Sequence, residues 1–173
     1  MSNIKKNVIY TDRLCLHSID DNDLENMISI LTNKEVSKTY MLPNFKNNQE
    51  VIKLFERLKV ISNNLDRFVY GIYLKDTLIG FLNDVEIDNN KIEIGYVIDP
   101  KYKNNGYATE VLTVVIKELF EIGYTEVITG AFEENTASIR VMEKSGMTRL
   151  SNTDKIEYNG MVHNCVYFNK VKV

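Results

Sequence analysis

Cysteine is scarce: Cys15 and Cys165 are the two in 173 residues. They stand in separate strand-like runs, with no C-x-x-C pair and no Cys/His ligand spacing, so nothing supports a zinc site. Buried free thiols in a reducing compartment are the expected state. No run of about 18 apolar residues occurs, and the first residues lack the apolar stretch of a secretory signal. A soluble, cytoplasmic protein with no membrane partner is therefore expected. Basic excess is also missing. The formal net charge is −3, from 21 basic and 24 acidic residues, so nucleic acid is not an expected partner. Two phosphate loops are absent. Without G-x-x-x-x-G-K-[ST], a P-loop NTPase is unsupported; without G-x-G-x-x-G after a first strand, so is a classical dinucleotide fold.

What is present suffices for a core, since 44% of the residues are hydrophobic. The length fits a single domain over residues 1–173, with an ordered core from about residue 10 and a frayed lead-in before it. The central stretch is KIEIGYVIDPKYKNNGYATEVLTVVIKELF, from Lys91 to Phe120. Ile92, Ile94, Tyr96 and Ile98 alternate and predict one face of a strand. Asp99-Pro100 stops it. A loop rich in Lys and Asn closes at Gly106. From Tyr107, the spacing of Ala108, Val111, Leu112, Val115 and Leu119 is helical. A helix that opens directly after a glycine presents unpaired N–H groups and the positive dipole end, which together suit an anion. The same pattern also describes an ordinary strand-to-helix connection with solvated lysines.

Around this stretch the chain reads in order. Tyr10–Ser18 alternates as a first strand, with Leu14 and Leu16 on one side and Arg13, Cys15 and His17 on the other. His17 reads as structural, having no partner visible in the sequence. Asp20 or Asp21 caps a helix carrying Leu24, Met27, Ile28 and Leu31. Thr32–Asn48 is polar and irregular, with the apolar cluster Tyr40, Met41, Leu42, Pro43 and Phe45 read either as a covered loop or as the lining of a cleft. A helix from about Asn48 buries Val51, Leu54, Phe55, Leu58 and Ile61. Arg67–Leu74, Leu78–Ile87 and the central strand form a meander. Thr125–Gly130 is a strand, parallel to the central one through a right-handed crossover. Asn135 caps a short helix, and Thr148–Tyr158 with Met161–Val171 forms a hairpin across Asn159-Gly160. The expected class is α/β (α+β): one mixed, mostly antiparallel sheet flanked by helices, in the order β-α-α-β-β-β-α-β-α-β-β.

That order, and the stretches KYKNNGYATE, NTASIRVMEKSGM and YTDRLCLHSIDDND, resemble the GCN5-related N-acetyltransferase family. The last stretch is similar to the branch that acetylates ribosomal-protein N-termini and related amines. The resemblance implies an enzyme that uses acetyl-CoA as cosubstrate, with no metal. It would pass the acetyl group to a primary amine by direct attack in a ternary complex. The acceptor would be a ribosomal-protein N-terminus, or alternatively a polyamine or aminoglycoside. A non-catalytic acyl-CoA-binding module is the rival reading. A monomer or homodimer is expected.

The resemblance also assigns residues. Lys103, Asn104, Asn105, Gly106, Tyr107 and Ala108 would hold the diphosphate. Backbone groups of Tyr96, Val97 and Ile98, on a strand splayed from its parallel neighbour, would hold the pantetheine arm. Asn135 would touch that arm besides capping its helix. Ser138 would sit at the thioester, as cofactor contact and general acid, because Met142 stands where many members carry a tyrosine, and a thioether cannot donate a proton. Lys103 replaces the usual Arg or Gln and loses the planar fork. Glu93, a carboxylate on an apolar strand, is the implied general base, with Glu86 as the alternate; a plain cross-strand pairing of Glu93 remains the other reading.

Overall fold

The computed structural model describes residues 4–173. Its strands are β1 (Ile9–Tyr10), β2 (Cys15–His17), β3 (Tyr70–Leu74), β4 (Thr77–Asp88), β5 (Lys91–Ile98), β6 (Glu126–Phe132), β7 (Thr148–Tyr158) and β8 (Met161–Val171). Its helices are α1 (Leu24–Leu31), α2 (Lys34–Thr39), α3 (Asn48–Ser62), α4 (Tyr107–Glu121) and α5 (Thr136–Lys144). The strands form one open, mixed sheet in the order β1-β2-β3-β4-β5-β6-β8-β7. As expected, β5 and β6 are parallel, whereas β2–β3, β3–β4, β6–β8 and β7–β8 are antiparallel. No helix among the described residues is long and apolar enough to cross a membrane.

Short polar side chains start most of the helices. Asp20 and Asp23 form a reciprocal capping box in the turn before α1. Asn33, Asn47 and Asn135 cap α2, α3 and α5 with their side-chain oxygens. The final hairpin turns at Asn159 and Gly160, whose φ angles of 51° and 75° are those of a primed turn.

Three expectations need correction. The expected first strand is broken in two, because Thr11 turns the chain: its N–H donates to the Leu14 carbonyl at 2.9 Å, and its hydroxyl accepts from the Leu14 N–H at 2.9 Å. The polar segment after α1 contains an extra helix, α2, which buries only Val36 and so leaves no readable period. Both change the expected element order. The lead-in is not frayed at Lys5. That residue is buried, and its ammonium donates to the carbonyls of Ser62 (2.6 Å) and Val69 (2.8 Å) while lying 4.5 Å from the Tyr70 ring centre.

Two compact units share the chain. One comprises residues 4–83 with 96–107, the other residues 84–95 with 108–173. In the first, α1 packs on α3, and Met27, Ile30, Leu31, Phe55, Tyr73, Phe81 and Val97 belong to one core. Leu42 joins that core, with Tyr40 and Phe45 packed against it, so the apolar cluster after α2 is largely a covered loop; Met41 stays exposed. In the second, the buried side chains include Ile92, Ile94, Val115, Leu119, Val127, Met142 and Phe168.

Candidate active site

In the unit containing residues 96–107, the loop after β5 is shaped by its backbone. Asp99 accepts from the Lys101 N–H at 2.9 Å, closing a short 3-10 turn at Pro100–Tyr102. Asn104 (φ 62°) and Gly106 (φ 77°) are both left-handed. Gly106 directly precedes α4 and has no side chain with which to cap it, unlike the asparagines before α2, α3 and α5. Peptide N–H groups at such a start are open to an external acceptor, and the dipole favours a negative one.

Arg13, assigned no role by the sequence pattern, belongs to this loop. Its Nη2 donates to the Asn105 carbonyl at 2.9 Å, and its guanidinium lies 4.6 Å from the centre of the Tyr107 ring. Nη2 would also be 3.6 Å from a Cβ placed on Gly106. One cation therefore touches Asn105 and Tyr107, the residues on either side of Gly106. Lys103 points elsewhere: its Nζ pairs with Glu35 of α2 at 2.9 Å, both side chains being more than half exposed. Such an exposed pair is worth about 0–1 kcal/mol, so a phosphate could compete for the lysine.

The β5 pattern changes midway. Ile92 and Ile94 are buried, but Val97 is the next buried residue, and Tyr96 and Ile98 are half-buried. The expected face of Ile92, Ile94, Tyr96 and Ile98 thus holds only to Ile94. The Val97 carbonyl lies over Gly80, where a Cβ would come within 2.1 Å of it, so only a glycine fits there. The matched β5–β6 pairs run Lys91↔Glu126, Ile92↔Val127 and Glu93↔Ile128, whereas β5 continues to Ile98.

In the other unit, Glu93 is half-buried. Burial first, then the charges of Glu86 and Asp154, push its carboxyl above the usual range. The Tyr167 hydroxyl donates to Asp154 at 2.7 Å. Burial, and then this hydrogen bond, hold the Tyr167 proton more firmly than usual. Asn135 accepts from the Ser138 N–H at 3.2 Å, so its capping role is realised. Met142 is fully buried. His17 stacks on Tyr73 (3.7 Å, 10°) and its Nδ1 donates to the Ser18 carbonyl at 2.8 Å, which agrees with the structural reading. Among the described residues, no group of His, Cys, Asp and Glu could hold a metal. Sequence reasoning missed Arg13, Asp154 and Tyr167. No local pattern in the sequence singles them out.

A sheet of this order is the one that the family resemblance implies, and the comparisons agree. The family model for the acetyltransferase (GNAT) domain matches residues 13–148. The chain belongs to that family and is an acetyltransferase. Among its relatives, the uncharacterized N-acetyltransferase YoaA of Bacillus subtilis (strain 168) is 30% identical over 147 residues, covering 82% of this chain and 83% of its own. The structure of a GNAT-family acetyltransferase from Bacillus anthracis has a TM-score of 0.81 at 25% identity, covering 95% of this chain and 98% of that one. RimL, a ribosomal L7/L12 alpha-N-protein acetyltransferase solved with coenzyme A, has a TM-score of 0.83 at 17% identity, covering 95% and 97%. At that identity the likeness to RimL is one of fold.

Proposed function

We propose that the protein acetylates a primary amine from acetyl-CoA, with a protein N-terminus as the acceptor. The observation that carries this reading is the loop before α4: two left-handed residues, a glycine directly before the helix and a bracing arginine, in a chain of the acetyltransferase family. These groups fit a diphosphate. Backbone N–H groups of Asn104–Ala108 would donate to it, and Lys103 would exchange Glu35 for it. Bound acetyl-CoA supplies the thioester whose acetyl group is transferred. Tyr96, Val97 and Ile98 would hold its arm by backbone groups, with Asn135 and Ser138 keeping the contacts that the resemblance gives them.

The proton chemistry falls to side chains. Glu93 carries a carboxyl more basic than usual, which suits a general base. Ser138, in the first turn of α5, would protonate the leaving thiolate. The N-terminal acceptor is favoured by the opening stretch YTDRLCLHSIDDND and by the fold shared with RimL. The buried Met142, which cannot donate a proton, favours a second reading, acyl-CoA binding without efficient transfer. Thiol release from acetyl-CoA separates the two readings. The test uses peptides with free N-terminal serine or alanine, spermidine and an aminoglycoside. Peptide-dependent release supports the first reading. Tight acetyl-CoA binding without release for any amine supports the second.

A further inference from the structure

A cleft of about 530 Å³ opens in the unit that contains β8, lined by Glu133, Glu134, Lys155, Val162, His163 and Asn164. None of these residues has a role in the reading above. His163 is one of two histidines in the chain. Its ring lies flat on Phe132, with centroids 4.3 Å apart and planes at 13°. Its Nδ1 is paired with a Glu134 carboxylate oxygen. The histidine side chain is only 12% exposed. A carboxylate at Nδ1 keeps the proton on that nitrogen and leaves Nε2 with its lone pair. Nε2 has no hydrogen-bond partner among the described residues.

The other charges around the ring are engaged or peripheral. Glu133 pairs with Arg149 at 3.0 Å and accepts from Asn164 at 3.4 Å, so Glu134 is the carboxylate left for His163. From β7 come Lys155 at the cleft wall, Ile156 directly opposite His163, Glu157 opposite Val162, and the Tyr158 ring 6.3 Å away. The Glu134 carboxyl is held below the usual range, first by its own backbone N–H and then by His163, so it stays ionised. Glu134 directly precedes Asn135, the cap of α5, and Ser138 follows within the first turn. The imidazole is therefore locked in plane by stacking and in tautomer by a carboxylate. That is the arrangement of a base with its orienting group.

We propose that this cleft receives the acceptor amine, that His163 is the base taking its ammonium proton, and that Glu134 is the positioning residue for the imidazole. The inference rests on the amine-acetylation reading above. An arriving R–NH3⁺ gives one proton to His163 Nε2. The freed nitrogen forms a bond to the acetyl carbon, the carbon–sulfur bond breaks, and the pair leaves on sulfur. The attacking nitrogen loses its second proton, and the thiolate gains one to become the thiol. His163 returns its proton to water through the open side of the cleft. Glu93 then serves only the proton lost during attack.

The experiment uses the full chain, acetyl-CoA and whichever amine of the panel is turned over. For His163→Gln the expected result is a loss of kcat/KM of about 100-fold, the usual scale of one acid–base group. The acid limb of the pH–rate profile should disappear, with acetyl-CoA affinity unchanged. Glu134→Gln should lower kcat with KM unchanged, because the imidazole loses the group that orients it. With only two histidines, NMR of the rings gives a readout independent of turnover: the amine should shift the His163 resonance and leave His17 in place. An active enzyme whose His163→Gln variant keeps the acid limb overturns the assignment of the base, and an unmoved His163 resonance overturns the cleft as acceptor site. If His163→Gln does not fold, Glu134→Gln and the response of the His163 resonance to the amine decide. A wild-type enzyme that acetylates no amine overturns the functional reading itself, a result distinct from either.

Discussion

Arg13 and Tyr107 are stacked, guanidinium over ring at 4.6 Å, although they belong to opposite ends of their unit's chain path. The same guanidinium donates to the Asn105 carbonyl across 92 residues. A cation–π contact is worth about 0.5–1 kcal/mol at an exposed site, and a charged hydrogen bond about 1.5–3 kcal/mol. Together they order the loop before a ligand arrives. Arg13→Ala should therefore weaken acetyl-CoA binding about tenfold, or ~1.4 kcal/mol. Arg13→Lys should restore only part of it, since lysine lacks the planar fork. Calorimetry on the folded variants checks both; wild-type affinity in Arg13→Ala would remove the arginine from the site.

Gly106 offers a separate test of the loop. A Cβ there would meet nothing nearer than Arg13 Nη2 at 3.6 Å, an ordinary contact, but φ is +77°. Left-handed backbone costs an L-residue roughly 1–2 kcal/mol. Gly106→Ala should lower acetyl-CoA affinity by about tenfold, and Gly106→Val by more, because a branched side chain also crowds the diphosphate. Normal affinity in a folded valine variant would show that the coenzyme binds elsewhere.

Glu93 ties catalysis to pH through stability. Its carboxyl is raised in the folded protein, mainly by burial. At low pH both folded and unfolded forms carry the proton and no penalty exists. As pH rises through the ordinary carboxylate range, the unfolded chain releases its proton first, and folding is disfavoured from there upward. Glu93→Gln should raise Tm above that range by a few degrees at most, on a scale of about 2–4 °C per kcal/mol for a chain of this size. The gain should vanish in acid. Turnover should fall with acetyl-CoA affinity unchanged. Thermal melts from pH 3 to 8 and the rate of thiol release check the two halves; unchanged turnover excludes Glu93 as base.

Lys5 predicts a stability effect away from the site. Lys5→Met keeps the apolar stem but removes the donors to Ser62 and Val69. Buried carbonyls left without a donor cost about 1–3 kcal/mol. Urea unfolding should show that loss, and acetyl-CoA binding should be unaffected. A midpoint equal to wild type would mean that water replaces the ammonium at no cost.

What the sequence by itself determined was local and periodic. The alternation of Leu14 with Leu16 and of Ile92 with Ile94 read true, as did the helical spacing from Val111 to Leu119, the asparagine cap at Asn135 and the Asn159-Gly160 turn. Each depends on neighbours a few residues away, whose backbone preferences act before the chain folds. A six-residue helix with one buried side chain was too short for any period to mark. Only the tertiary structure decided that Val97 replaces Tyr96 in the core, that Lys5 is buried, that Arg13 braces the loop and that His163 is clamped between Glu134 and Phe132. Those outcomes depend on sheet register and on pairings between distant segments, and a side chain carries no local sign of which distant partner the assembled sheet will bring to it.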